Sequence, residues 1–273
     1  MQKVNILLFD VSPFIYIAYY GTVYALKGPR EETNEARIFP IASNMLISRI
    51  RSCFEMFDGL PILPIFCYDG SVAKKKNLVK NYKEGRTHSM SKDLRNNLLN
   101  IVKQFPGLHI TNQEEEADDL IATMKEQYKD KDCNFFIFSK DNDLLQLCDY
   151  RTIFYDPALK GGIRDRKYLI DKFNGIKDFK KIILHKICFG DSSDNIEGIF
   201  KGQRRQKIVE AFVNCLTFND FLKLDIVKQG NLEEQAKNLY NIIKLRKNLD
   251  FEQKIVKDDS FLETDSQLVF QFQ

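Results

Sequence analysis

The chain has 273 residues, of which 44% are hydrophobic and 29% are charged, as is typical of a globular protein with a full core. Its three histidines are scattered and its six cysteines form no Cys-x-x-Cys pair. This argues against a zinc site and favours buried free thiols in a reducing cytosol. The apolar run Val4–Phe9 is too short for a signal peptide or a membrane span, so we expect a cytoplasmic location.

Short apolar runs alternate with helical patterns as far as residue 160, which predicts an α/β fold with a parallel sheet flanked by helices. The predicted strands are Val4–Phe9, Leu63–Tyr68, Asn134–Phe138 and Thr152–Tyr155, the last of them at or near an edge. The predicted helices are Phe14–Val23, Ala42–Phe57, Asp93–Phe105 and Gln113–Tyr128.

From Asp165 onward the pattern is helical alone. The predicted helices there are Arg166–Phe173, Phe179–Phe189, Gln203–Cys215, Phe218–Leu224 and Leu232–Asn248. The turn-forming sequence Lys160-Gly161-Gly162 marks a boundary between an α/β domain, residues 1–160, and a helical subdomain, residues 161–273. The final residues ETDSQLVFQFQ are expected to form a strand or a tail that docks on a partner.

The net charge of +3 conceals a basic stretch within residues 70–95. Its cations are Lys74, Lys75, Lys76, Lys80, Lys83, Arg86, Lys92 and Arg95, against Glu84 and Asp93. Such a stretch suits a polyanion partner, whereas the plainer interpretation is a solvated surface.

Acidic side chains follow three of the predicted strands. Asp10 and Asp69 end the first two strands, and Asp141 and Asp143 follow the third. The carboxyl ends of parallel strands meet at one edge of the sheet, where ligands bind in open α/β folds. Taken singly, each acid has a plainer role, since Asp141, for example, can cap a helix.

Glu116, Asp118 and Asp119 lie near the start of the predicted acidic helix. Glu116 and Asp119 are spaced i, i+3 and would share a helix face, although acids also favour the positive end of any helix. Carboxylates gathered so closely repel one another unless a multivalent cation is present, and all-oxygen ligands select Mg²⁺ or Mn²⁺ over Zn²⁺. Two such ions about 3.5–4 Å apart would assist phosphodiester displacement, which is nuclease chemistry.

A further acidic pair, Asp191 and Asp194, lies in the sequence GDSSDN after Gly190, which is a predicted helix stop. The two acids are three residues apart on a tight turn and can face one cation together. Asp and Ser also favour turns without any ligand, so this motif alone is a weak signal.

Six segments occur in the order found in the 5′-nuclease and flap-endonuclease family. They are FD at 9–10, YDG at 68–70, YKEGR at 82–86, EADD at 116–119, SKDND at 139–143 and GDSSDN at 190–195. The chain therefore resembles this family, which includes the 5′→3′ exonuclease domain of bacterial DNA polymerase I and stand-alone phage enzymes such as phage RNase H. The resemblance implies a PIN-like sheet, a helical arch at about 70–95 and a helix-hairpin-helix-like motif in the helical subdomain.

The resemblance also implies two metal positions. Asp10, Asp69, Glu116, Asp118 and Asp119 would surround the first, Asp141 would lie between the two, and Asp143, Asp191 and Asp194 would hold the second. Lys83 and Arg86 would contact the scissile phosphate, and together with Asp141 they are the predicted catalytic residues. Tyr82 would stack on a base, and the arch lysines would follow the phosphate backbone; these are Lys74, Lys75, Lys76 and Lys80.

The implied duplex-binding hairpin comprises Gly198, Lys201, Gly202, Arg204, Arg205 and Lys207. Many relatives have a third glycine here, often around a bound K⁺, so this chain departs from the pattern and a K⁺ site is in question. Many relatives also carry an arginine where this chain has Ile17. That phosphate contact is either absent or supplied from elsewhere, for example by Lys27 or Arg30.

Together these features predict an Mg²⁺- or Mn²⁺-dependent 5′→3′ exonuclease and 5′-flap endonuclease. Its expected substrates are branched or nicked DNA and the RNA primers of RNA–DNA duplexes, in replication and repair. We expect a monomer without membrane contact that works with a polymerase, a clamp or a single-strand-binding protein. Two alternatives stay open: a PIN-type single-strand ribonuclease, which would usually lack the arch and GDSSDN, and a non-catalytic structure-specific DNA-binding protein.

Overall fold

The computed structural model describes residues 3–26, 34–71, 90–158, 162–200 and 205–257. Its strands are β1 Val4–Asp10, β2 Ile62–Cys67, β3 Gly107–Thr111, β4 Cys133–Phe138, β5 Thr152–Tyr155 and β6 Glu252–Val256. They form one sheet in the order β5-β4-β1-β2-β3-β6. The neighbours from β5 to β3 pair in parallel, whereas β6 pairs antiparallel with β3. The sheet is therefore mixed.

Helices cover both faces of this sheet. In the first half of the described chain they are α1 Val11–Ala25, α2 Glu35–Glu55, α3 Lys92–Val102 and α4 Ala117–Gln127, followed by the 3₁₀ helix Asn142–Leu147. The later helices are α5 Arg166–Lys172, the 3₁₀ helix Phe179–Lys181, α6 Ile182–Phe189, α7 Arg205–Phe212, α8 Phe218–Leu222, α9 Asp225–Lys228 and α10 Glu233–Ile243.

Alternation along the strands divides the core in two. On β1, Ile6 and Leu8 face one side and Leu7 and Phe9 face the other. Phe9 stacks between Phe66 and Phe138, with ring centroids 4.8 and 4.7 Å away. Because each fully buried aliphatic or aromatic side chain contributes about 1.5–3 kcal/mol, this double-sided burial fixes β1 and the acid at its end.

The core on the Ile6 face continues into the later helices, where Ile187, Phe212 and Leu239 belong to the same cluster. In addition, β6 returns to the sheet after α10 and covers the edge of β3. The domain boundary near residue 160 stays a prediction, and the described core runs across it.

The predicted α/β fold class is confirmed, and β5 lies at an edge of the sheet as expected. The predicted helix Gln113–Tyr128 is wrong at its start, because residues 113–115 form a turn and α4 begins only at Ala117. The predicted helix Leu232–Asn248 is too long, since α10 ends at Ile243. All six cysteines are buried free thiols, as predicted. No helix in the described ranges is both long and apolar enough to cross a membrane.

Candidate functional site

A pocket of about 1430 Å³ opens at the carboxyl edge of the sheet. Asp10 and Asp69 reach it from the ends of β1 and β2, Asp141 from the loop after β4, and Glu116 and Asp118 from the start of α4. We call these five acids the sheet-edge group. The structure thus brings together five of the acids that the sequence predicted to converge.

Asp69 ties three elements together at this edge. Its carboxylate accepts hydrogen bonds from the Ser12 hydroxyl of α1 and, at 3.0 Å, from the Ala117 N–H at the start of α4. The neighbouring Gly70 lies so close to β3 that a Cβ on it would be 2.1 Å from the Asn112 carbonyl oxygen. Glycine is therefore required where the chain leaves β2.

Asp10 lines the pocket and is buried, with 6% of its surface exposed. Burial raises its pKa well above the usual value, and the negative charges of Asp69, Asp141 and Asp118 act in the same direction. The Ser139 hydroxyl donates to Asp10 at 2.7 Å and opposes the rise. A carboxyl in this position favours the entry of a cation, because a nearby positive charge stabilises its ionised form.

The loop after β4 turns sharply to present Asp141. The Asp141 N–H donates to the Ser139 hydroxyl at 2.9 Å, and the Asp141 carboxylate accepts from the Asp143 N–H at 2.8 Å. Asp141 is thus the N-cap of the 3₁₀ helix Asn142–Leu147. The plainer interpretation of Asp141 is correct, and it coexists with a place in the pocket.

Arg164 is a buried cation that braces this loop. Its guanidinium donates to the Asn142 side chain at 2.7 Å, to the Lys140 carbonyl at 2.9 Å and to the Asp156 carboxylate. It also lies over the Phe154 ring, 5.0 Å from the centroid. Sequence reasoning missed Arg164, because a single arginine in a predicted linker carries no periodic signal.

A second set of acids, which we call the turn cluster, reaches the same pocket through Asp191. Among the residues that the structure describes, carboxylate oxygens of Asp143, Asp191 and Asp194 all lie within 4.8 Å of one another. Gly190 ends α6 with a φ of 79°, as the sequence predicted, and a Cβ on it would lie 2.4 Å from the Ile196 carbonyl oxygen. Backbone geometry available to glycine therefore shapes the turn that carries two of the three acids.

Lys186 on α6 contacts the turn cluster. Its ammonium donates to the Asp143 carboxylate and, at 2.5 Å, to Asp191. Although burial acts to raise the pKa of Asp191, the Lys186 charge and hydrogen bonds from Lys186 and Ser193 hold that pKa below its usual value. Sequence reasoning missed Lys186, since it lies in an apolar helix and its distance from the acids becomes short only in the fold.

Asp119 is fully buried and does not line the pocket. Its two carboxylate oxygens accept from the Arg246 N–H at 2.7 Å and from the Arg246 guanidinium at 2.8 Å. Arg246 also pairs with Glu115, so the segment after α10 is anchored to the start of α4. Asp119 is absent from the pocket lining, which includes Glu116 and Asp118. The shared helix face predicted for Glu116 and Asp119 is wrong, because Glu116 is the extended N-cap of α4.

Cationic side chains surround the acids. Lys92 and Arg95 reach the pocket from α3, and Lys140, Lys172 and Arg205 line it from the loop after β4 and from the later helices. Lys92 and Arg95 belong to the basic stretch that was predicted to suit a polyanion partner, although neither was assigned an individual role. A positive rim around a carboxylate site suits a phosphate-bearing ligand.

Ile17 lies on an apolar wall of the same pocket. Tyr16 and Tyr20 flank it on α1, with ring centroids 6.3 Å apart. Arg95 lines this pocket too, so positive charge is available although Ile17 supplies none. The alternative sources suggested by the sequence, Lys27 and Arg30, lie outside the described residues.

The predicted hairpin is described only in part. A Cβ on Gly198 would lie 2.4 Å from both the Cys188 carbonyl and the Gly190 nitrogen. The Ile199 and Phe200 N–H groups donate to carbonyls of α6 at 3.0 Å, so these amides bind α6. Arg205 lines the pocket, and Lys207 is exposed on α7. The other predicted nucleic-acid and catalytic residues lie outside the described ranges: Lys74, Lys75, Lys76, Lys80, Tyr82, Lys83, Arg86, Lys201, Gly202 and Arg204.

Comparison with known proteins gives a consistent result. Residues 5–174 match the family model of the 5′-3′ exonuclease N-terminal resolvase-like domain. A 5′-3′ exonuclease of Mycoplasmopsis pulmonis is 34% identical over 146 residues, which are 48% of this chain and 46% of that protein. A 5′-3′ exonuclease of Mycoplasma pneumoniae is 26% identical, over 85% of this chain and 80% of that protein.

The chain thus spans about half the length of the first of these relatives. Among solved structures, the flap endonuclease of bacteriophage T5 in a pseudo-enzyme-product complex with DNA and metal ions superimposes with a TM-score of 0.59. It is 15% identical, and the match covers 88% of this chain and 87% of that protein. At this identity, the likeness establishes the fold.

Proposed function

Because the chain belongs to the 5′-3′ exonuclease family, we propose that it is a nuclease that cleaves DNA near 5′ ends with the help of divalent cations. In this proposal it is a 5′→3′ exonuclease and a 5′-flap endonuclease. The observation that carries the proposal is the sheet-edge group, whose five acids line one pocket together with Lys92, Arg95 and Lys140.

The residues present fit divalent cations. Every candidate ligand is a carboxylate oxygen, and such ligand sets favour Mg²⁺ or Mn²⁺. We assign the sheet-edge group to the first ion, with Asp141 towards the second, and the turn cluster to the second ion. When bound, two such ions would supply positive charge to the attacking and leaving oxygens of a phosphodiester. The Asp119 carboxylate, which already binds Arg246, is assigned the role of an anchor for α4.

The protein's own groups would orient the substrate. Lys92, Arg95 and Lys140 would attract the phosphates of a strand entering the pocket, and Tyr16 and Tyr20 offer ring faces on the same wall. The roles of the arch residues are inferred from the family resemblance. By that resemblance, Lys83 and Arg86 would bind the scissile phosphate, and Tyr82 would stack on a base.

The substrate class follows from the same resemblance. A solved flap endonuclease of similar fold was captured with DNA and metal ions, which supports branched or nicked DNA as the substrate. We extend the proposal to RNA primers of RNA–DNA duplexes, and to delivery by a polymerase, a clamp or a single-strand-binding protein. A K⁺ ion at the hairpin is left out of the proposal, because this chain departs there from the glycine pattern of the family.

A cleavage assay tests this proposal. The full chain is incubated with 5′-labelled flap duplexes whose 5′ segment is DNA or RNA, in Mg²⁺, Mn²⁺ or EDTA. We expect cleavage in either metal, none in EDTA, and a loss in Asp141→Ala. Asp132→Ala is the matched control, because Asp132 is 87% exposed beside the start of β4.

The products also discriminate between the possible activities. A ladder of short products indicates exonuclease action, whereas one product of flap length indicates endonuclease action. Metal-independent cleavage, or equal cleavage by wild type and Asp141→Ala, refutes the proposal. Preference for unstructured RNA over both flap substrates would favour the single-strand ribonuclease.

A further inference from the structure

Lys186 is a buried cation placed among acids. Lys186 is 5% exposed, and its ammonium binds one oxygen of Asp143 and one of Asp191. Asp143 belongs to the 3₁₀ helix after β4, whereas Asp191 belongs to the turn after α6. One lysine therefore links the two elements that carry the turn cluster.

The ammonium binds carboxylates that a metal ion would need. Asp143, Asp191 and Asp194 bring carboxylate oxygens within 4.8 Å of one another, and Lys186 already binds two of the three acids. A divalent ion would have to approach these oxygens to about 2.0–2.6 Å. Two positive charges at such short range repel strongly in a buried setting, so full metal coordination and the present lysine contacts oppose each other.

We propose that Lys186 is a built-in cation that holds the turn cluster together and weakens its binding of the second divalent ion. Ion entry requires the ammonium to release at least one carboxylate. Lys186 is thus a positioning residue, and it makes the second ion bind less tightly than the first. This inference rests on the proposed function, because the turn cluster is assigned there to the second ion.

The sheet-edge group supplies an internal reference for this proposal. Asp10 accepts a hydrogen bond from the Ser139 hydroxyl, and Asp69 accepts from the Ser12 hydroxyl and the Ala117 N–H, which are donors without a net charge. Removing the Lys186 charge should therefore change the affinity for the second, more weakly bound divalent ion. The affinity for the first, more tightly bound ion should stay the same. A general loss of structure would instead weaken both events together.

Calorimetric titration of the full chain with Mn²⁺ measures both events. Lys186→Met removes the charge and keeps the bulk of the side chain, whereas Lys186→Arg keeps the charge. The matched control is Lys181→Met, since Lys181 is 8% exposed and takes no part in the ion pairs of Asp143 and Asp191. We expect two binding events in the wild type, and a second dissociation constant about tenfold lower in Lys186→Met only.

Several results would overturn the inference. An unchanged or weaker second event in Lys186→Met refutes it while leaving the proposed function intact, because two ions still bind. An equal tightening in Lys186→Arg or Lys181→Met refutes it as well, since charge at position 186 would then not be the cause. If no variant and no wild-type protein binds Mn²⁺, the inference and the metal dependence of the proposed function fail together.

Folding of the variant is a second readout. The turn cluster in Lys186→Met lacks its internal cation, so the variant should melt earlier than the wild type in EDTA. It should then gain more in melting temperature from Mn²⁺ than the wild type does. If Lys186→Met is unfolded in EDTA, added Mn²⁺ should restore its circular-dichroism spectrum. A variant that stays unfolded in Mn²⁺ contradicts the proposal.

Discussion

The sheet-edge group and the turn cluster differ in how the chain balances their negative charge. In the sheet-edge group, Asp10 accepts from a serine hydroxyl, and Asp69 accepts from a serine hydroxyl and a backbone N–H. In the turn cluster, Asp143 and Asp191 share the ammonium of Lys186. The pKa of Asp10 lies well above its usual value, mainly because of burial, whereas that of Asp191 lies below it in spite of burial.

The difference shows two ways of building a carboxylate site. Dipoles from hydroxyls and amides orient an acid but leave its charge for an external cation, whereas an internal lysine neutralises the charge beforehand. The ionisation of Asp10 therefore depends more on a bound ion than the ionisation of Asp191 does. The predictions below test this contrast.

The largest expected effect comes from matched amide substitutions in the two groups. Asp10→Asn should reduce cleavage of a flap substrate by about 10³-fold, because it removes a proposed charged ligand of the first ion. In EDTA, however, its free energy of unfolding should be unchanged or higher, since a buried carboxyl with a raised pKa is lost. Asp143→Asn should instead lower that free energy by about 1–3 kcal/mol, because Lys186 then loses a charged partner.

Single-turnover cleavage and urea denaturation in EDTA measure these two quantities. Asp132→Asn, on an exposed site, provides the baseline for both assays. If Asp10→Asn and Asp143→Asn change the free energy of unfolding by the same amount in the same direction, the contrast between the two groups is wrong.

Arg164→Met should have the next largest effect, on stability. Asp156 is 2% exposed and would lose its buried partner, which we expect to cost about 3 kcal/mol. The loop that carries Asp141 would also lose two hydrogen bonds from the guanidinium. Affinity for the first Mn²⁺ should therefore fall about tenfold, as is usual when groups that support metal ligands are removed.

Denaturation and calorimetry measure the two effects of this substitution separately. Arg166→Met is the control, since Arg166 is exposed on α5. Arg164→Lys should restore part of the Mn²⁺ affinity. A loss of stability without any change in Mn²⁺ affinity would limit Arg164 to a purely structural role.

The smallest expected effect is a pH dependence near the turn cluster. Burial lowers the pKa of His185 on α6 from 6.5 to about 4, and the Arg205 charge acts in the same direction. The unfolded chain then binds the proton more readily, so stability is present above pH 6.5 and is lost as the pH falls towards about 4. The expected loss is about 2 kcal/mol between pH 7 and pH 5.

Urea denaturation at a series of pH values tests this expectation. His185→Gln should flatten the dependence between pH 7 and 5, whereas Lys180→Gln, on an exposed site, should keep the wild-type slope. Equal slopes in the wild type and His185→Gln would assign the acid sensitivity to other groups. His109, whose pKa is also lowered by burial, is the next candidate.

Much of the sheet-edge group could be predicted from the sequence. Buried runs such as β1 and β2 are local patterns, and Asp10 and Asp69 follow directly from where those runs end. Parallel pairing then brings strand ends together, whatever the intervening chain does. Asp141 could be placed for the same reason, because it follows β4.

The other features of the fold and of the site could not be predicted, because they depend on contacts between distant parts of the chain. The short run Gly107–Thr111 becomes a strand by pairing with β2 and with β6, and β6 lies far along the sequence at Glu252–Val256. Lys186 and Arg164 gain their partners only after the later helices pack on the sheet. Local periodicity carries no information about such pairs, because their energy arises from burial and charge in the assembled fold.

Asp119 shows most clearly what the spacing of residues in the sequence cannot predict. The sequence alone gave Glu116 and Asp119 a helical spacing, which places two side chains on one face only if both residues are helical. In the structure Glu116 is the N-cap, with φ −82° and ψ 156°, and Asp119 turns inward to Arg246. The sequence by itself determined which acids end strands. Tertiary structure decided which acids share the pocket and which cations balance them, because the partners come from elements far apart in the chain.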